Sequence, residues 1–133
     1  MERSWTVSWE GTWGAGFQGT ADIASATELD DVLARRDSGG NAEFALARSG
    51  AAYPCLVLNV HADRWYVHFF PEESEPGAYV GGDSEASGTL LLPAGSNIEV
   101  LCSNLVDRST AQQAAHEFLA SGERPAGLDW VEL

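Results

Sequence analysis

The sequence has no lysine, only two cysteines and three histidines among 133 residues, and no long hydrophobic run. Each shortage excludes something. All seven bases are arginine and they face twenty acids, for a formal net charge of −13. A chain this acidic repels nucleic acid and anionic lipid and attracts basic surfaces. No apolar run approaches the ~20 residues needed to span a bilayer. Met1-Glu2-Arg3-Ser4-Trp5 lacks the apolar core of a signal peptide, so a cytoplasmic location is expected. Cys55 and Cys102 lie in strand-like apolar runs and read as reduced core thiols rather than a disulfide or a metal pair. His61, His68 and His116 are scattered without metal-ligand spacing, and no cofactor is expected. Gly11-Thr-Trp-Gly-Ala-Gly has glycines but no lysine and no helix start after it, so it is not a phosphate loop. No nucleophile elbow and no His-Glu-x-x-His occur either.

What is present suits one folded domain over residues 1–133. The organising stretch is Pro54–Pro71, two apolar runs around the break His61-Ala62-Asp63-Arg64. A break this short permits only an antiparallel hairpin. Alternation places Leu56, Leu58 and Val60 on one face with Trp65, Val67 and Phe69 on the returning strand. The opposite face carries Cys55, Val57, Asn59, Tyr66, His68 and Phe70. Both faces are largely apolar, so the pair belongs in the middle of a sheet.

Around this hairpin the sequence predicts further elements. Trp5–Glu10 alternates as a half-buried strand, Gly11–Gly19 reads as a loop, and Thr20–Ala24 as a short return. Thr27 is the expected cap of a first helix, with Leu29, Val32 and Leu33 facing inward, Arg35 and Arg36 at its C-terminal end, and Gly39-Gly40 as its stop. Strands are expected at 41–47, 88–92 and 97–102. Ser109 and Gln112 suggest a capping box for a second helix, whose inner face is Ala111, Ala114, Ala115, Phe118 and Leu119. Gly122 and Pro125 end it, and Leu128–Leu133 reads as a last strand with Trp130 toward the core. The fold class is α+β: a mainly antiparallel sheet of about six strands with two helices packed on it.

Two stretches are candidate contact surfaces. Trp5, Trp9, Trp13 and Phe17 surround a glycine-rich loop and serve either as partner anchors or as a lid on the core. Glu72, Glu73, Glu75, Asp83 and Glu85 give five acids and no base between positions 72 and 85. That segment is either a solvated loop, with a short strand at Tyr79-Val80, or a surface presented to a basic partner.

The C-terminal segment sharpens the choice. Ala114-Ala-His-Glu-Phe118-Leu-Ala-Ser-Gly122-Glu-Arg124-Pro125-Ala-Gly-Leu-Asp-Trp130-Val-Glu132-Leu resembles the end of the type-1 immunity proteins of bacterial polymorphic toxin systems. Those chains close with an alanine-rich helix ending in Phe, a Gly-x-Arg-Pro turn, and a strand with Trp and an acid. Thr27-Glu-Leu29-Asp-Asp-Val32-Leu33 is similar to the family's first helix, and the match extends roughly from Thr20 to Leu133. The resemblance implies a cytoplasmic, non-enzymatic antidote that binds and blocks a cognate toxin domain, often a nucleic-acid deaminase, without touching nucleic acid or membrane itself. It also implies that Arg124, Pro125 and Trp130 define the fold rather than the contact. The tryptophan-rich start and the acidic segment lie outside the family pattern. Two alternatives stay open on the residues alone: a regulatory module without a toxin partner, and a small enzyme pairing His68 with a cysteine.

Overall fold

A computed structural model describes residues 4–14 and 16–133. Its centre is a hairpin of β4 (Cys55–His61) and β5 (Arg64–Phe70). The break is tighter than the four residues read from sequence. Only Ala62 and Asp63 turn the chain, both at positive φ (49° and 59°), and His61 and Arg64 already pair across the strands. Two successive left-handed residues give the twist that matches right-twisted strands. The register sets Leu56 opposite Phe69, Leu58 opposite Val67 and Val60 opposite Trp65, so one face is wholly apolar and buried.

The sheet grows outward from this pair. On one side lie β3 (Asn41–Arg48), β1 (Trp5–Glu10) and the edge strand β2 (Gln18–Ile23); on the other lie β6 (Ala78–Val80) and β9 (Trp130–Glu132). All six pairings of this seven-stranded sheet are antiparallel. Strand β2 starts two residues earlier than expected, which shortens the glycine loop, and β6 interrupts the acidic segment.

Helices α1 (Ala26–Leu33) and α2 (Arg108–Ser121) cover the apolar face. Phe118 of α2 is fully buried and meets the rings of Trp5 and Phe69 edge-on at 5.2 and 5.8 Å. His116 and Asp30 join the helices at 2.7 Å. Both caps fall two residues before the residues expected from sequence. Ser25, not Thr27, accepts from the Glu28 amide, and Asp107, not Ser109, accepts from the Thr110 amide. In each case the earlier residue has extended backbone and the expected one is already helical. Helix α1 also stops at Leu33, ahead of Gly39-Gly40. Arg36 reaches back to the Leu33 carbonyl at 2.6 Å and closes its end from outside the helix. Gly122 does end α2, at φ 71°.

A second hairpin, β7 (Thr89–Leu92) and β8 (Ile98–Leu101), forms its own two-stranded sheet. Its inner side, with Leu92, Val100, Cys102 and Leu105, buries Tyr66 on the second face of the main sheet. The expected strands are therefore present, divided between two sheets. Asn59 is buried there because its amide donates to Glu43 at 2.9 Å and to the Ala94 carbonyl at 3.3 Å.

Phe118→Ala removes the contact shared by α2, β1 and β5 and should destabilise the fold by about 3–5 kcal/mol. Trp130 is only half-buried, so Trp130→Ala should cost roughly half as much. Chemical denaturation of both variants checks the ranking; equal losses would place Trp130 fully in the core.

Candidate partner-binding surface

The strand registers divide the candidate residues between two ends of the sheet. Glu10, Gln18, Asn41, His61 and Arg64 terminate neighbouring strands at one end. Phe70 and Cys55 lie at the other, from which the turn carrying Glu72, Glu73 and Glu75 departs. Strand β6 runs back toward the first end, so Asp83 and Glu85 leave from its opposite terminus. The five acids are all exposed but do not form one patch. Glu75 is held above its ordinary pKa by the neighbouring Glu72 carboxylate, first through their side-chain hydrogen bond and then through charge repulsion.

The four aromatic candidates also separate. Trp5 is buried, and Trp9 and Phe17 are half-buried against the main core. Trp13 is 98% exposed. Three of them therefore pack in or on the core, and Trp13 does not. Its exposure is not the result of a loose loop base. The Gly11 amide donates to the Phe17 carbonyl at 2.8 Å, and the Gly95 amide donates to the Gly11 carbonyl at 3.0 Å. Thr12 bridges to Ala94 on the β7–β8 turn. Gly14 and Gly16 take positive φ, which lets the tip fold back between these anchors.

Asp37, buried, is the hub beneath the loop. Its carboxylate accepts from the amides of Thr12 at 2.8 Å, Gly39 at 2.9 Å and Asn41 at 2.9 Å. Burial pushes the carboxyl up, but the bonds from Thr12, Asn41 and Gly39 together outweigh it and hold Asp37 below its ordinary value. Asn41 carries the network on, donating to the Thr12 hydroxyl at 3.3 Å and meeting His61 Nδ1 through its side-chain oxygen. Nothing in the sequence flagged Asp37; an acid between a helix and Gly39-Gly40 looks like an ordinary turn residue.

Three grooves converge here. One of about 710 Å³ runs from Glu10 past Trp13 and Phe17 to Pro93 and Asn97. A second, about 390 Å³, lies between Trp13 and Asp37. A third, about 490 Å³, continues from Glu10 and Gln18 across Thr20 and Glu43. Among the described residues no arginine lines any of them. Five arginines are engaged elsewhere. Arg48, Arg35, Arg36 and Arg124 lie 4.6–5.7 Å over the rings of Trp5, Trp9, Trp65 and Trp130, and Arg108 pairs with Asp63 at 3.0 Å. Among the described residues, Trp13 alone of the tryptophans has no arginine over its ring.

The register places His68 diagonally from Cys55 on one face of the hairpin, Cys55 facing Phe70 and Val57 facing His68, but among the described residues no hydrogen bond joins His68 to a cysteine. His68 Nε2 meets the Pro76 carbonyl at 2.7 Å and its ring stacks on Phe70 at 3.9 Å. Burial lowers its pKa and pushes the Cys55 thiol up to about 11, away from thiolate chemistry. Cys102 is buried in the second cluster. Among the described residues no group of three or more His, Cys, Asp or Glu side chains converges as a metal site, and no helix is long and apolar enough to cross a membrane.

The C-terminal trio forms a clasp. The Trp130 indole donates to the Pro125 carbonyl at 2.7 Å, and Arg124 donates to Glu132 at 2.6 Å while lying over the Trp130 ring.

A comparison with protein-family models matches residues 18–132 to the family described as Immunity protein Imm1. No curated protein matches the chain.

Asp37→Ala should destabilise the protein by about 2 kcal/mol near neutral pH, because it strands the buried Asn41 amide and removes the bonds to the part-buried Thr12 and Gly39 amides. An Asp held below its ordinary value of 3.8 contributes stability that is complete above that value and is lost as pH falls through the lower folded value. Thermal melts across pH should therefore show the gap between parent and variant narrowing below about pH 4; a constant gap would mean the carboxylate is not what holds the loop.

Proposed function

This chain belongs to the Imm1 immunity-protein family, and from that premise we propose that it is an antidote that binds a cognate bacterial toxin domain and blocks it by steric and electrostatic occlusion. The match across residues 18–132 is the observation that carries this reading. It favours a binding role over a catalytic one, as does the burial that pushes the Cys55 thiol up to about 11 and keeps it from being a reactive thiolate.

The charge supports a particular kind of target. A toxin acting on DNA or RNA holds phosphates in a basic groove, as a nucleic-acid deaminase does when it positions a base for attack. A partner with a net charge of −13 competes for that groove and is drawn to it over distance. Most of the described arginines are engaged with tryptophans or with Asp63, so few free cations oppose that approach. Acids at both ends of the sheet contribute to the steering. Glu72, Glu73 and Glu75 extend it at one end and Asp83 and Glu85 beyond the far end of β6. We place the antidote in the cytoplasm, where such a toxin would act.

The test is inhibition of a cognate toxin domain, sought among the products of neighbouring genes, followed by binding kinetics. Equimolar chain should abolish toxin activity, and the association rate should fall tenfold or more from low to high salt. Changing Glu72, Glu73, Glu75, Asp83 and Glu85 to Gln or Asn should slow association further while leaving stability within about 0.5 kcal/mol. A chain that binds no toxin domain would instead be a regulatory module. Binding with a salt-independent rate would remove electrostatics from the account.

A further inference from the structure

We infer that Trp13 is the anchor with which this chain grips its partner, and that the partner offers an apolar cleft ringed by Lys or Arg. The inference rests on the antidote reading above and names the surface and the chemistry that reading leaves open.

Three observations converge on this end of the sheet. An indole that is 98% exposed leaves its apolar area in water, where burial by a partner has most to gain. The ends of its loop are held, Gly11 to Phe17 and Thr12 to Asp37 and Ala94. Binding through a prearranged anchor loses little conformational freedom, which is the condition under which a single aromatic residue dominates an interface. The two grooves that the indole lines supply room for a partner's side chains, and their ionisable lining is acidic: Glu10 and Asp37.

Charge decides the chemistry of the occupant. A second copy of this chain would bring another −13 against these acids. A basic rim would meet them favourably, and its Lys or Arg side chains could stack on the indole face that no arginine of the described chain occupies. Trp13 precedes the matched residues 18–132, so its role rests on the geometry of this chain. The remaining exposed apolar residues offer a rival surface. Leu91 and Leu101 are about half-exposed on β7 and β8, but no comparable anchored projection accompanies them.

The experiment uses the full chain and the toxin domain that it is found to inhibit or, if it inhibits none, the candidates from neighbouring genes. Parent, Trp13→Ala and a Leu91→Ser/Leu101→Ser double variant are compared by calorimetry and by melting temperature. Trp13→Ala should melt with the parent and bind about 30-fold or more weakly, a change of about 2 kcal/mol. The double variant should bind like the parent. The Trp13 indole N–H resonance, assigned by its loss in Trp13→Ala, should shift when the toxin domain is added. If the parent itself fails to bind, the antidote reading falls. If the parent binds, and Trp13→Ala binds equally well with the indole resonance unmoved in the parent complex, the antidote reading stands and the anchor is overturned. Loss of binding confined to the leucine variant would move the interface to β7–β8.

Discussion

Everything in this fold depends on the register of one antiparallel pair, β4 against β5. The Ala62-Asp63 turn fixes that register, and a slip of one residue would send Leu56, Leu58, Val60, Trp65, Val67 and Phe69 to the wrong face. With the register set, those side chains define the surface that α1 and α2 must cover, and Tyr66 and Asn59 define a smaller one for β7–β8. The two ends of the sheet follow from the same register. One collects the strand termini beneath Trp13, and the other sends out the turn with Glu72, Glu73 and Glu75.

Tryptophan and arginine are distributed in a way that links stability to recognition. Four arginines are held against four tryptophans, which desolvates part of each cation's stem and keeps its charge close to the protein. The outcome is a molecule with twenty acids against seven bases, whose field is set by the acids. Trp13 stands outside this arrangement. It is the same residue type in a different physical state, supported from below by Asp37 and uncovered above.

The sheet and helices were legible because periodicity reports burial directly. The hairpin faces, the inner stripe of α2 and the Gly122 stop follow from spacing alone, and the C-terminal resemblance agrees with the family match. The caps were less legible. Ser25 and Thr27, or Asp107 and Ser109, are chemically equivalent caps, and only backbone geometry chooses between them. The basic C-terminal end of α1 was legible, but its early stop at Leu33, where Arg36 donates to the last carbonyl, was not. The candidate surface was legible only as a list of aromatics and acids. Strand order separated them, burying Trp5, half-burying Trp9 and Phe17, and placing Glu72 and Asp83 at opposite ends of β6. Asp37 was invisible because its role is to accept from three amides that the fold brings together.

The central claim is that the chain meets a toxin domain with the end of the sheet that carries Trp13. Hydrogen–deuterium exchange of the free chain and of its complex with the toxin domain tests it most directly. The account predicts new protection across residues 11–18 and 93–97, where the Trp13 loop and the β7–β8 turn meet. Protection confined to the helices, or to the Glu72–Glu75 turn at the opposite end, would contradict it.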